Sequence, residues 1–229
     1  MSRQLFLGLI SEGSTDNRFL ISVIERTVHE IIMSYGDSVT IEIAILKKES
    51  GKPFIEQVIE ANKTYHKENF INLLLIHVDA DDSNDLHVCK TKIDPLLEKI
   101  SQESDDLCKD LVPIIPVYMT ESWMLADFEL FRDEISTEKS KTELGLNKKP
   151  EDYNDPKLSI ELALRVINDV KPKKRRHDLK IKDLYQIIGQ KVELDKLKIL
   201  PSYMKFYREI LIKLAELNFI NIHSSINKL

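Results

Sequence analysis

Five acidic residues stand where apolar runs stop. Leu5 to Ile10 gives way to Glu12 and Gly13, Phe70 to Val78 gives way to Asp79, Ala80, Asp81 and Asp82, and Val112 to Tyr118 is followed by Glu121. Apolar runs this short read as strands rather than helices. In a parallel α/β sheet, ligands bind beyond the carboxyl ends of the strands, so these carboxylates are expected at one edge. In extended chain Asp79 and Asp81 point to the same side with Cα atoms roughly 6.6 Å apart, near enough to share one cation or hold an adjacent pair. Gly13 lets the backbone turn tightly after Glu12. Carboxylates crowded in this way repel one another, and a divalent cation offsets that repulsion. An oxygen-only donor set without a cysteine or a histidine pair suits Mg²⁺ or Mn²⁺ better than zinc or copper. Glu12, Asp79 and Asp81 are therefore the leading candidates, with Glu121 next. The competing role, capping a helix N-terminus or a turn, fits Asp16, Asp82 and Asp85.

Other chemistries find less support. Six glycines leave no glycine-rich phosphate loop and no nucleophile elbow. Cys89 and Cys108 are too few and too far apart for a zinc or redox motif, and read as reduced thiols. His77 lies inside an apolar strand and is expected to be a hydrogen-bonded core residue, while His87 lies near the acidic loop. Ser14 and Thr15 have no convincing His and Asp partners and read as helix caps.

The elements that must carry these residues alternate in type. Leu5 to Ile10 is followed by an apolar stripe through Phe19, Leu20, Val23, Ile24, Val28, Ile31 and Ile32, the spacing of one helix face. Val39 to Leu46 alternates as a strand, and Pro53 opens a helix with Phe54, Ile55, Val58, Ile59 and Ala61 inward. Phe70 to Val78 and Val112 to Tyr118 are the third and fourth strands, with helical stripes at Ile93 to Ile100 and Ser122 to Phe131. This predicts an α/β fold, a parallel sheet flanked by helices, over residues 1–133. Residues 134–229 hold no convincing strand and are expected to form a mainly helical C-terminal appendage. Its stripes are Leu158, Leu162, Val166 and Ile167; Leu184, Ile187 and Ile188; and Tyr203 through Leu217.

The chain of 229 residues is 42% hydrophobic and 31% charged with a net charge of −5, ordinary values for a globular protein with a sizeable core. No apolar run approaches the roughly 20 residues of a membrane span. The opening MSRQLFLGLISEG meets Glu12 before any small-residue cleavage site and is not expected to be a signal peptide, so the expected location is the cytoplasm. Residues 147–182 hold 11 Lys and Arg against 6 Asp and Glu, including the run KPKKRR at 171–176. Lys173, Lys174, Arg175 and Arg176 are candidate nucleic-acid contacts, a basic patch beside an acidic domain. A solvated turn between helices is the plainer reading of the same run.

LFLGLISEGSTDNRFL and LLLIHVDADD resemble the TOPRIM domain, whose signature is Glu-Gly after the first strand and Asp-x-Asp after the third. VYMTESWMLAD and KLKILPSYMKFYREILIKL are similar to a bacterial family of small stand-alone TOPRIM-like proteins related to OLD nucleases and often encoded beside ATPases in phage-defence neighbourhoods. The resemblance implies a TOPRIM fold and a Mg²⁺-dependent nuclease, toxin-like in a defence system. Asp79 and Asp81 would then hold metal, and Glu12 would bind a second metal or serve as general base. Asp16 matches a further acidic position of OLD-type nucleases, and Glu121 would complete a metal shell with Trp123 packed beneath it. The implied partners are DNA or RNA and an ATPase; assembly with a second copy is left open. The alternative is a catalytically silent TOPRIM-like subunit docked on that ATPase. An aspartyl-phosphate phosphatase is a third reading, and it needs no Glu12.

If the basic run binds nucleic acid, replacing Lys173, Lys174, Arg175 and Arg176 with Gln weakens binding to DNA and tRNA and flattens its salt dependence, because fewer counterions are released. Titrations at several salt concentrations check this, and an unchanged slope assigns KPKKRR to a solvated turn.

Overall fold

The computed structural model describes residues 3–36, 38–170 and 179–221. The run 171–176, with Lys173, Lys174, Arg175 and Arg176, lies outside the described residues. The fold is α/β, a four-stranded parallel sheet in the order β2-β1-β3-β4, built from β1 (Arg3–Ile10), β2 (Val39–Ile45), β3 (Leu73–His77) and β4 (Leu111–Ile114). Helices flank it on both faces. β1 is central: Leu9 pairs with Ile45 on one side, and Ile10 pairs with Ile76 on the other. The chain leaves β1 in one direction to make β2 and returns past it to make β3, so the strand order reverses between β1 and β3. Such a reversal opens the crevice in which α/β sheets bind ligands.

The pleat sorts the core. Leu5, Leu7, Leu9, Leu73 and Leu75 face one apolar cluster, whereas Ile10, Leu74 and Ile76 face the other. All five residues of β3 are buried, as expected of a strand covered on both faces. α1 (Ser14–Tyr35) covers the first face with the predicted stripe from Phe19 to Ile32. α2 (Phe54–Glu68), opened by Pro53, covers the second face with α4 (Asp94–Gln102). Between them a short helical turn, α3 (Leu86–Val88), runs into a π-helical segment, Cys89–Ile93.

The expected helix from Ser122 to Phe131 is two pieces, α5 (Glu121–Met124) and α6 (Phe128–Glu134), because the Asp127 carboxylate accepts the Leu130 N–H and starts α6 afresh. α7 (Pro156–Val170), α8 (Leu184–Lys191), α9 (Leu194–Leu197) and α10 (Pro201–Glu216) complete the described chain. On α7 the buried face is Ile160, Ala163, Leu164 and Ile167, while Leu158 and Leu162 are exposed. Two overlapping apolar series share that helix, and only its neighbours decide which one turns inward. α8 and α10 carry the predicted stripes, with Leu184, Ile188, Tyr203, Phe206, Tyr207, Ile210, Leu211 and Leu214 buried.

Residue 133 marks the change from strand–helix alternation to helices. It does not mark a break in the core, because the cluster on the α1 face contains side chains from both sides of it. Trp123 is fully buried there, edge-on to Tyr203, and its indole N–H donates to Ser202 Oγ at 2.7 Å. Thr27 Oγ1 and Tyr203 OH share a 2.7 Å hydrogen bond between α1 and α10. Among the described residues, no helix is long and apolar enough to cross a membrane.

Gly189 sets the approach of α8 to α1, since a Cβ there would lie 2.6 Å from Phe19 O and 2.8 Å from its Cα. Gly189→Ala is expected to destabilise the fold by about 1–3 kcal/mol through overpacking, outweighing the gain in helix propensity. Urea unfolding checks this as a lower midpoint at unchanged slope.

Candidate functional site

The crevice collects side chains from several strand ends. Glu12 follows β1 and Asp79 follows β3, and the Asp79 N–H donates to Glu12 Oε2 at 3.1 Å. One Asp79 oxygen, Oδ1, accepts the Thr120 N–H at 3.0 Å and lies 3.3 Å from His77 Nε2. Thr120 Oγ1 is 3.0 Å from the same His77 nitrogen. His77 Nδ1 faces the Glu12 N–H at a long 3.5 Å, which favours the tautomer with its proton on Nε2. His77 is thus a core residue, as expected, and it also supports the site from below.

Asp81 does not continue the extended chain. Its φ of 52° is left-handed, and its N–H donates to Tyr118 O at 2.8 Å. Tyr118, itself at φ 57°, donates to Asp82 O at 3.0 Å. Asp tolerates this conformation better than most residues. The expected alternation of Asp79 and Asp81 along a strand is therefore replaced by a turn, yet Asp81 stays within the field of the other acids. Its pKa is raised by burial and then by repulsion from Glu12 and Asp79.

Glu121 departs from expectation. Rather than facing the crevice it is only 3% exposed, and its carboxylate accepts the Tyr185 hydroxyl of α8. Burial raises its pKa, and the Tyr185 hydrogen bond opposes that shift. Burial and the adjoining Glu121 charge in turn push the Tyr185 phenol far up. Asp16 takes the capping role, its Oδ2 accepting the Gly13 N–H at 3.1 Å at the start of α1. Burial raises the Asp16 pKa, chiefly against the pull of His77.

Among the described residues, two lysines face Glu12. Lys92, from the π-helical segment, has Nζ 3.6 Å from Glu12 Oε1, and Lys48, just beyond β2, donates to the Glu12 carbonyl oxygen at 3.3 Å. Burial lowers the Lys48 pKa, with Glu12 opposing. The strand-end rule that selects Glu12 also reaches Lys48, three residues past β2. Lys92, Thr120 and Tyr185 carry no such sequence signal, because they arrive from separate elements.

Among the described residues, no three His, Cys, Asp or Glu side chains are grouped as a metal cage. Glu12 and Asp79 each commit one oxygen to a backbone N–H; the second Glu12 oxygen faces Lys92 at 3.6 Å, and Asp81 lies beside them. This donor set suits Mg²⁺, which usually takes one or two carboxylates and keeps several waters.

The arrangement defines an α/β protein with an acidic, lysine-flanked crevice at the reversal of its strand order. The family model described as Domain of unknown function (DUF4276) matches residues 11–210, and the chain belongs to that family. No curated protein and no solved structure matches it.

A carboxyl whose pKa is higher folded than unfolded binds its proton more tightly when folded. Its contribution to stability is therefore present below the unfolded pKa and falls as pH rises toward the folded value. Glu121→Gln keeps an acceptor for Tyr185 and removes this loss. The variant should gain stability relative to wild type as pH rises from the ordinary carboxylate range through the raised pKa of Glu121, a trend read from unfolding curves at stepped pH.

Proposed function

We propose that this protein is a metal-dependent phosphodiesterase acting on nucleic acid, with Glu12, Asp79 and Asp81 at its centre. The observation that carries the reading is the meeting of Glu12 and Asp79, from adjacent strand ends at the sheet's reversal point, joined by the Asp79 N–H and the Glu12 carboxylate. The resemblance of the Glu-Gly and Asp-x-Asp segments to TOPRIM domains supports it, as does the pair of lysines beside the acids.

Asp79 and Asp81 would hold Mg²⁺ or Mn²⁺ with Glu12 beside them. Bound there, the cation supplies positive charge to the scissile phosphate. Thr120 and His77 fix the Asp79 carboxylate by occupying Oδ1, so Oδ2 keeps a constant direction. Glu12, the most solvent-accessible of the pair, accepts the proton of the attacking water. Lys92 and Lys48 offer charge to the phosphate oxygens, and Lys92 also holds Glu12 in place when substrate is absent. Glu121 and Asp16 act beneath the site, one through Tyr185 and the other through Gly13. A cytoplasmic nuclease working beside an ATPase in phage defence fits this reading, with the basic run 171–176 gripping the polyanion.

Mg²⁺ or Mn²⁺ is expected to raise the melting temperature, since a ligand bound only by the folded state stabilises it by about 2.7 kcal/mol at 100 times its Kd. Asp79→Asn, which keeps an acceptor for Thr120, should abolish that shift. Glu12→Gln should fold normally and lose roughly 10²–10⁴-fold in cleavage of plasmid, single-stranded DNA or tRNA. Full cleavage by Glu12→Gln sinks the mechanism. Wild-type protein that cleaves none of the three in either metal overturns the nuclease reading, and if it also binds an ATPase partner the docked-subunit reading takes its place.

A further inference from the structure

Next to the acidic pair lies a cleft of about 560 Å³, between the start of α2 and the helical run through the π segment into α4. Pro53, Phe54, Ile59 and Pro95 make it largely apolar, and Thr91 and Lys92 line the opposite side. Lys92 joins the cleft to the site. Its Nζ sits 5.8 Å from the centroid of the half-buried Phe54 ring and 3.6 Å from Glu12 Oε1. The extra residue in a π turn rotates its side chains relative to a regular helix, and π turns are frequent at functional sites. Here that segment carries both Thr91 and Lys92.

We propose that this cleft is a nucleoside subsite, holding the unpaired base and sugar next to the phosphate handled at Glu12 and Asp79; the inference rests on the phosphodiesterase reading above. A ligand that fills the cleft and also reaches Lys92 needs a flat, largely apolar body with an anion at one end, and a nucleotide has that form. The Phe54 ring offers a stacking face, which accepts any base because every base has a π surface. Glu56 and Glu98 also line the cleft. Lys99 lines it too, but its Nζ lies 3.7 Å from Glu103 Oε1, so Lys92, beside Glu12, is the lysine that directs the phosphate toward the site. The volume falls in the range of small-molecule sites, and a base that stacks on Phe54 has to leave the stack of its own strand. The substrate class that follows is single-stranded or looped nucleic acid.

The test is calorimetric titration of the full chain in Mg²⁺ with AMP, ribose 5-phosphate and inorganic phosphate. AMP is expected to bind roughly 5- to 150-fold more tightly than ribose 5-phosphate, as one stacked base provides. In Phe54→Leu, which keeps apolar packing without a ring face, AMP should fall to the affinity of ribose 5-phosphate, with melting temperature confirming the fold. Lys92→Gln should weaken all three ligands. Equal binding of AMP and ribose 5-phosphate by wild type, or a gap that survives Phe54→Leu, overturns the subsite. Cleavage assays on the same preparations separate the two ideas. Protein that cleaves but does not distinguish AMP from ribose 5-phosphate loses the subsite and keeps the phosphodiesterase reading. Protein that distinguishes them through Phe54 but cleaves nothing keeps a nucleotide site and loses the hydrolytic one.

Discussion

The hydrogen bond from the Asp79 N–H to the Glu12 carboxylate spans two strand ends that are neighbours in the sheet and far apart in the chain. It can form only because β3 inserts next to β1, in register from Leu7 with Leu73 to Ile10 with Ile76, and not beside β2. That insertion places the two acids at one crevice and leaves Lys48, beyond β2, on the other side of Glu12. Like charges at adjacent strand ends repel. Here a backbone donor, a lysine ammonium and the His77–Thr120 pair share the burden. Asp81 keeps part of that repulsion: its pKa is raised first by burial and then by the charges of Glu12 and Asp79.

α1 links this crevice to the C-terminal helices. Its first turn receives Asp16 and Gly13 below the site, and its middle receives Thr27 and Tyr203. Arg26 reaches the Gly189, Gln190 and Val192 carbonyls at the end of α8, where helix carbonyls lack intrahelical donors and a cation also meets the negative end of the dipole. Residues after 133 therefore complete the cover on one face of the sheet. A cut at that point would expose the apolar faces of α1 and of the strands beneath it.

Beneath the acids, the polar network runs inward. Thr120 touches both His77 and Asp79, the next residue is the buried Glu121, and Tyr185 brings α8 to it. Buried polar groups remain tolerable when each has a partner, and this chain of contacts gives Asp79 a fixed base while linking the crevice to the helical region. The site therefore depends on packing far from its solvent face.

Much was legible in the sequence because its causes are local. A short apolar run between polar residues makes a strand, a 3–4 spacing makes a helix face, and a residue just after a strand must lie at the strand's end. Those rules alone find the four strands, the α1 stripe, Glu12 and Asp79, although β3 is shorter than the apolar run Phe70 to Val78 and β4 stops at Ile114 rather than Tyr118. The inward face of α7 was not legible, since two apolar series compete and the neighbouring helices select Ile160 over Leu158 and Leu162. Nor was the turn at Asp81, set by its pairing with Tyr118, or the burial of Glu121, set by Tyr185 from 64 residues away. Lys92 reaches Glu12 only through the β1–β3 adjacency and the π turn. Local pattern determines which segments become strands and helices, but which side chains meet depends on strand order and on the packing of helices distant in sequence, and only the tertiary structure decides these.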